Sequence, residues 1–259
     1  MGKIIAIANQ KGGVGKTTTA LNIAAGLVKV GKKVLLVDLD PQANLTDYLA
    51  HVEDGKPTIA DLMMAAVNGQ QVDASAAIRV NAEGIHYIPA NILLSGADLF
   101  LASAFCREKV LSKILHSYSV QDYDYMLIDC LPSLGIMLTN ALTASDQLLI
   151  PVQAQKFALD GLQQLQRVYS MVKDNLNPNM TIVGVLLTMY DNTAMAKAVA
   201  EALESQFPGL VFGTTISRLV EATNSTYEQR SLIATPNSRL GVQYMQLAHE
   251  LLRRQGHGQ

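Results

Sequence analysis

Several residue types are scarce in this 259-residue sequence, and each scarcity excludes a class of protein. The chain has two cysteines and no tryptophan, and aromatic residues make up only 5% of it. Cys106 and Cys130 lie far apart and have no companion at metal-ligand spacing. We therefore expect neither a disulfide scaffold nor a structural zinc site, which fits a reducing compartment.

Charged residues are also few, at 16% against the roughly 25% typical of soluble proteins. Lys and Arg number 20 and Asp and Glu number 22, so the formal net charge is −2. A chain so near neutrality does not coat DNA by bulk charge, and any nucleic-acid binding needs a local patch or an assembled surface. The apolar fraction of 49% permits a large core and excludes disorder as the chain's main character.

Long apolar runs are absent. No stretch of about 18 uninterrupted apolar residues occurs, which excludes a transmembrane helix. Near the amino terminus, polar Asn9, Gln10 and Lys11 interrupt the apolar residues, so no secretory signal is predicted. Gly2 lacks the Ser or Thr at position 6 that myristoylation requires. We expect a cytoplasmic protein without membrane insertion.

Short apolar runs alternate with helical patterns along the chain, which is typical of a parallel α/β sheet. No linker or internal repeat divides it. We predict one doubly wound, mostly parallel sheet flanked by helices over residues 1–254, followed by a polar tail at 255–259. The predicted strands cover residues 3–8, 33–37, 85–88, 125–129, 147–151 and 181–189. The predicted helices cover residues 17–30, 58–66, 96–118, 136–144, 157–175, 193–206 and 240–254.

Glycines and a Lys-Thr pair cluster between the first predicted strand and helix, where residues 9–18 read NQKGGVGKTT. The standard phosphate loop, GxxxxGK[ST], requires a glycine at position 10, where this chain has Gln10. The chemistry still fits, because glycines let backbone N–H groups converge on phosphate oxygens and the following helix directs its positive end at the same anion. Lys16 is expected to reach the β- and γ-phosphates, and the Thr17 hydroxyl to bind Mg²⁺. The alternative is a glycine-rich turn with a surface lysine.

The way in which this loop departs from the standard motif resembles a known family of ATPases. Residues 11–17, KGGVGKT, resemble the deviant phosphate loop of the ParA/MinD class of ATPases, which has an additional signature lysine. The resemblance implies an ATPase of P-loop fold that uses ATP and Mg²⁺, and it implies that Lys11 contacts phosphate across an ATP-bound homodimer. A cation delivered in this way stabilises charge on the transferring phosphoryl group, as an arginine finger does. The plainer alternative for Lys11 is a solvated loop lysine.

Two carboxylates stand just past the second predicted strand. Asp38 and Asp40 lie two residues apart, so in extended conformation they point to the same side, at the strand end where doubly wound sheets bind ligands. The segment DLDPQ resembles the first switch of the ParA/Soj ATPases. The resemblance implies that Asp40 positions the hydrolytic water and that Asp38 supports the metal. Alternatively, Asp40 caps the helix that follows Pro41.

Asp129 ends another apolar strand, a pattern that alone is only a weak Walker B signature. The segment DCLPSLG resembles the second switch of the same family, with Leu131 in place of the usual first proline. By that resemblance, Asp129 reaches Mg²⁺ through water or the Thr17 hydroxyl. Cys130 is predicted to be a small buried residue rather than a nucleophile, since no histidine is nearby in sequence.

Two later segments extend the resemblance. Residues 187–191, LTMYD, resemble the family's adenine-side loop, and residues 216–218, ISR, resemble a later IPR segment in which Ser217 replaces the proline. In relatives this region helps to bind non-specific DNA, but the basic stretch expected after it is poor here. Because the chain begins at its first strand, we expect no helix-turn-helix extension and no operator-specific repression.

The candidate site residues fall into four sets. The predicted catalytic residues are Lys11, Lys16 and Asp40. The predicted metal-binding residues are Thr17, Asp38 and Asp129. The predicted nucleotide-binding residues are Lys11, Gly12, Gly13, Val14, Gly15, Lys16, Thr17, Thr18, Met189 and Ser217. The candidate DNA contacts are Arg218, Arg230 and Arg239.

The resemblance spans nearly the whole chain and implies a Soj-like ParA ATPase with weak basal activity. Its ATP-bound homodimer would bind non-specific double-stranded DNA on the nucleoid, and a ParB-like activator protein would trigger hydrolysis and release. The cargo would be a chromosome, a plasmid or an integrated element.

Three other functions stay open. A MinD-like membrane positioner needs an amphipathic anchor, but the apolar stripe of residues 240–251 is expected to pack on the core. A reductase similar to nitrogenase iron protein needs two suitably placed cysteines. A metabolic P-loop enzyme on the same scaffold is disfavoured by Lys11 and residues 38–42, by analogy alone.

Overall fold

The computed structural model describes residues 2–155 and 158–256. One sheet runs through these residues in the order β3-β4-β2-β5-β1-β6-β7, and every neighbouring pair is parallel except β3 and β4. The predicted doubly wound sheet is thus confirmed. Its strands are β1 (Lys3–Ile7), β2 (Val34–Leu39), β3 (Arg79–Val80), β4 (His86–Ile88), β5 (Tyr125–Cys130), β6 (Gln147–Gln153) and β7 (Thr181–Thr188).

Helices cover both faces of this sheet. Side chains alternate along β1, so Ile4 and Ala6 join one hydrophobic cluster while Ile5 and Ile7 join the other. Strands β2 and β5 are buried along their whole length, as expected of parallel strands covered on both faces. The helices are α1 (Lys16–Lys29), α2 (Asn44–Tyr48), α3 (Ile59–Val67), α4 (Ala97–Ala102), α5 (Val110–Leu115), α6 (Ile136–Ala144), α7 (Ala158–Asn175), α8 (Ala194–Gln206), α9 (Glu221–Tyr227) and α10 (Arg239–Arg254).

Helices α1 and α10 pack tightly on one face. A Cβ atom added at Gly26 of α1 would lie 2.8 Å from the Cβ of Ala248 in α10, so this close approach requires glycine. The predicted apolar stripe of α10 is buried from Leu240 to Leu251, which confirms that it docks on the core. Within the described residues, no helix combines the length and the apolar character needed to cross a bilayer.

The single helix predicted for residues 96–118 is wrong. The chain forms α4, turns through Cys106 at a left-handed φ of 54°, and resumes as α5. Asn140, buried in α6, supports this break, because its amide donates to the Arg107 carbonyl at 2.8 Å and accepts from the Leu111 amide at 3.1 Å. A tertiary side chain therefore satisfies backbone groups that a continuous helix would have paired internally.

Strand β3 and helix α9 were not predicted, and helix α2 was expected only in the alternative in which Asp40 caps a helix after Pro41. Strand β3 is a two-residue antiparallel edge, and neither short helix has an apolar period long enough to recognise. The first residue predicted for the helix at 157–175 and the last three of the predicted tail lie outside the described residues. The remaining predicted elements occur within about two residues of their predicted ends.

Candidate functional site

The glycine-rich segment forms a loop between β1 and α1, at the edge where the parallel strands end. Gly13 and Gly15 have φ values of 71° and 86°, in the left-handed region that side chains disfavour. The surroundings of Gly12 and Gly13 are open, since a Cβ atom built on either one meets no atom within 4 Å. The Thr188 hydroxyl donates to the Val14 carbonyl at 2.8 Å and holds the loop against the end of β7.

Two lysines lie at this loop. The ammonium group of Lys16 donates to the Lys11 carbonyl at 3.1 Å. Burial lowers the pKa of Lys16, while the nearby carboxyl groups of Asp129 and Asp40 oppose the shift. The ammonium group of Lys11 donates to Gln155 Oε1 of the same chain at 3.3 Å. Lys11 is thus neither fully buried nor a freely solvated loop lysine in this monomer.

Asp38 and Asp129 lie side by side, because β2 and β5 pair with these two residues in register. The Asp38 carboxylate accepts hydrogen bonds from the Thr46 hydroxyl at 2.7 Å, the Thr46 amide at 2.9 Å and the Asp40 amide at 3.1 Å. Burial raises the pKa of Asp38 to about 6, although these hydrogen bonds favour its ionised form. Its metal role stays a prediction.

Asp129 is the residue best placed to hold a divalent cation. It is buried, and its Oδ1 has no hydrogen-bond partner among the described residues. Burial raises the pKa of Asp129 well above its usual range, and Asp38 raises it further, whereas the Thr17 hydroxyl and the Lys16 ammonium lower it. An unpartnered carboxylate oxygen beside a threonine hydroxyl fits Mg²⁺, which prefers oxygen ligands and keeps some of its waters.

Asp40 stands at the mouth of the site and is partly exposed. Its Oδ1 accepts from the Gln42 amide at 2.9 Å, so it caps a turn, while α2 begins later with Ala43 at its N-cap. Asp40 and the phosphate-loop residues line a cavity of about 710 Å³. No three acidic, histidine or cysteine residues of the described chain form a metal cage by themselves.

A second cavity, of about 530 Å³, adjoins the first and shares Gly15, Thr18 and Met189 with it. Met189, which has a left-handed φ of 51°, therefore lies where the two cavities meet. Ser217 lines the second cavity with apolar residues of α10, Leu240 and Tyr244. A purine base requires such a largely apolar cleft with few polar groups.

Two functional contacts were missed by sequence reasoning. Thr46 binds Asp38 from eight residues away, and no motif identifies it. Gln243 of α10 binds Ser217 through two hydrogen bonds, to the backbone amide and to the hydroxyl. Cys130 is buried as predicted, and burial raises its pKa well above the usual thiol range.

The three candidate DNA contacts flank α9, which is about 10 Å long. Arg218 precedes α9 and also lines the second cavity. Arg230 follows the end of α9, and Arg239 lies beside Glu221. Each arginine has an acidic neighbour. These neighbours are Asp191 for Arg218, Glu221 for Arg239, and Glu228, which forms an ion pair of 3.4 Å with Arg230.

Comparison with known proteins places this geometry in a family. A family model described as an AAA domain matches residues 2–182. The sporulation initiation inhibitor protein Soj of Bacillus subtilis is 42% identical over 254 residues, which cover 97% of this chain and 98% of Soj. The chromosome partitioning protein ParA of Caulobacter vibrioides is 37% identical over 257 residues, which cover 98% of this chain and 95% of that protein.

A solved structure shares the fold. The crystal structure of cobyrinic acid a,c-diamide synthase from Mycobacterium smegmatis, with bound ADP and magnesium, superposes with a TM-score of 0.85 at 34% sequence identity. The match covers 100% of this chain and 97% of that one. The bound ADP and magnesium were observed in the synthase crystal.

Proposed function

The chain belongs to the Soj/ParA family of chromosome-partitioning ATPases, and we propose that it is a Mg²⁺-dependent DNA-partitioning ATPase that works as an ATP-bound homodimer. The observation that carries the proposal is the meeting of three charged side chains, Lys16, Asp40 and Asp129, at the phosphate loop that also contains Lys11. Opposite charges focused on one open loop suit the transfer of a phosphoryl group, which depends on positioning and electrostatic stabilisation.

The nucleotide would occupy the two adjoining cavities. Phosphates would lie against the backbone amides of the glycine loop and the Lys16 ammonium, and the base in the cavity lined by Met189 and Ser217. Asp129 and the Thr17 hydroxyl would hold Mg²⁺, which neutralises phosphate charge when bound. Asp40, at the cavity mouth, would orient the attacking water.

Dimerisation would complete the site. Among the described residues, the Lys11 ammonium group makes one hydrogen bond, to Gln155 Oε1, and its length of 3.3 Å exceeds that of an ideal charge-assisted bond. A γ-phosphate on a facing subunit offers a stronger acceptor, so ATP would draw Lys11 across the interface. The requirement for γ-phosphate would make the dimer specific for ATP over ADP.

Packing between the first switch and the arginine-bearing segment supports nucleotide-dependent DNA binding. The Tyr48 hydroxyl of α2 hydrogen-bonds the Ser225 hydroxyl of α9. The side-chain Nε2 of Gln229 donates to the Asp47 backbone carbonyl at 2.9 Å. Helix α2 begins four residues after Asp40, and Arg230 follows Gln229 directly. A shift of the switch on binding ATP would therefore move the segment that carries Arg230. DNA binding would place the protein on the nucleoid, and a ParB-like partner would accelerate hydrolysis.

A gel shift with non-specific duplex DNA, in ADP and in ATP, tests this proposal. We expect binding only with ATP, equal for unrelated sequences and weakened by salt. Three arginines from each of two subunits give at most about six phosphate contacts, so a fourfold rise in salt should weaken binding on the order of 10³-fold. Arg218→Ala should weaken binding to all sequences alike, and Arg230→Ala, at a residue that lines neither cavity, should do the same and leave the ATP dimer intact. An ATP-bound dimer that ignores DNA at low salt refutes the proposal.

The likeness to a metabolic synthase supports one other candidate function, a metabolic enzyme on the same scaffold. The same experiment separates the two, because a metabolic enzyme has no use for ATP-dependent DNA binding. ATPase activity that duplex DNA and a ParB-like protein leave unchanged would favour the metabolic function.

A further inference from the structure

Helix α10 is hydrogen-bonded to the loop of residues 213–217, which leads into the second cavity. The Glu250 carboxylate accepts from the amides of Gly213 and Thr214, each at 2.9 Å. Ser217 lies four residues after Gly213 in the same loop and is bound by Gln243 of α10. The Ser217 amide donates to Gln243 Oε1 at 2.9 Å, and Gln243 Nε2 donates to the Ser217 hydroxyl at 2.8 Å. One helix thus fixes both ends of this loop.

Gln243 acts at the point where the loop leaves the sheet. The Ile216 amide donates to the Leu187 carbonyl and the Tyr190 amide to the Ile216 carbonyl, both at 2.9 Å, and Ser217 pairs with Tyr190 in an isolated β-bridge, so the loop is tied to the sheet as far as Ser217. In the described chain, the next backbone partners are the carbonyls of Leu219 and Val220, which accept from α9. Gln243 therefore supplies the acceptor for the Ser217 N–H group and orients the Ser217 hydroxyl on the cavity wall.

Gln243 is also tied to the phosphate end of the site. Its neighbour on α10, Tyr244, is buried against α1, where its hydroxyl lies 3.4 Å from that of Thr19. Because α1 begins at the phosphate loop, α10 joins the loop and the cavity wall in one rigid frame. A frame of this kind keeps the distance between the two ends of the site fixed before the nucleotide binds.

We propose that Gln243 is a positioning residue for the nucleobase, which holds Ser217 in place to receive the base of ATP. The proposal rests on the proposed function, because it takes the cavity as the base site. A proline at position 217 would fix φ by its ring and have no N–H group to satisfy. Serine has neither property, and Gln243 supplies both the restraint and the acceptor.

Titration calorimetry with two probes tests this proposal. ATP with Mg²⁺ reports on the whole site, and inorganic tripolyphosphate with Mg²⁺ reports on the phosphate end alone. Loss of two neutral hydrogen bonds should make Gln243→Ala bind ATP on the order of tenfold more weakly. Tripolyphosphate affinity should stay within about twofold, because the phosphate loop is untouched. In turnover assays, KM for ATP should rise and kcat should stay nearly constant.

Gln246→Ala is the matched control, since Gln246 is exposed on the same helix and its side chain makes no hydrogen bond within the described chain. It should bind both probes as the wild type does. Gln243→Glu keeps an acceptor for the Ser217 amide and should restore most of the ATP affinity. Adding Ser217→Pro to Gln243→Ala should restore it as well, because the unsatisfied N–H group is removed.

The outcomes separate this inference from the proposed function. Wild-type protein that fails to bind ATP refutes the proposed function. Wild-type protein that binds ATP while Gln243→Ala binds it equally well refutes the inference, as does an equal loss for ATP and tripolyphosphate. If Gln243→Ala does not fold, Ser217→Ala removes only the hydroxyl contact and should weaken ATP binding about threefold, and no change there refutes the inference.

Discussion

A substitution of Thr46 tests how much its hydrogen bonds stabilise the buried Asp38 carboxylate and the chain around it. Its hydroxyl donates to Asp38 at 2.7 Å and accepts from the Ala90 amide at 2.9 Å, so one oxygen satisfies a buried carboxylate and a buried N–H group. Thr46→Val keeps the shape of the side chain and removes both hydrogen bonds. The backbone amide of residue 46 can still donate to Asp38.

The expected cost follows from these two contacts. A hydrogen bond to a charged group contributes about 1.5–3 kcal/mol, and a buried N–H group left without a partner costs about 1–3 kcal/mol. The added methyl group recovers about 0.8 kcal/mol by burial. We expect the free energy of unfolding to fall by about 3 kcal/mol, which lowers Tm by about 6–12 °C in a chain of this size. The pKa of Asp38 should also rise, because a hydrogen bond to its ionised form is lost.

Thr143→Val is the matched control. Thr143 is 7% exposed and Thr46 is 6% exposed, but Thr143 Oγ1 has no hydrogen-bond partner among the described residues. Its replacement should change Tm by less than about 2 °C or raise it. Thermal unfolding of both variants by circular dichroism, without nucleotide, measures the difference. Equal losses of Tm would show that the Thr46 hydroxyl contributes no more than a buried, unpartnered one.

Three further substitutions test the phosphate site. Lys16→Ala should lose ATP binding and hydrolysis together, because Lys16 is the cation proposed to bind the phosphates, and hydrolysis at the wild-type rate would contradict that assignment. Lys11→Ala should keep some affinity for ADP and lose ATP-dependent dimerisation, and sedimentation that detects an unchanged ATP dimer would remove the role across the interface. Asp40→Ala should form a long-lived ATP dimer with hydrolysis reduced by at least about 100-fold, and turnover at the wild-type rate would shift the positioning of water elsewhere.

Sequence patterns predicted the helices correctly where the residues of the helix itself determine where it begins and ends. The periodicity of residues 240–254 predicts α10 almost to the residue, because this helix buries one apolar face. The same periodicity fails for residues 96–118, where Asn140 from a distant helix stabilises the break between α4 and α5. A pattern in one segment carries no information about a hydrogen bond that another segment supplies.

The candidate site divides in the same way. Lys16 and Thr17 were predicted from the strand-loop-helix motif, since the loop's chemistry requires those residue types at that spacing. Asp129 was predicted from the resemblance of its segment to the second switch. Thr46 and Gln243 were missed because each acts by a hydrogen bond to a residue placed beside it by the fold. The left-handed φ of Met189 was equally hidden, as methionine gives no sign of such a conformation in sequence.

The charge around α9 bears on how DNA would be held. Arg218, Arg230 and Arg239 each have an acidic neighbour, so doubling this patch by dimerisation doubles its carboxylates as well. Long-range attraction to a polyanion would therefore be weak in the proposed dimer, as it is for a monomer of net charge −2. Affinity would come instead from short-range contacts in which arginines exchange carboxylates for phosphates. Such an exchange depends on where each arginine is placed, which gives the contacts between α2 and α9 a direct influence on DNA binding.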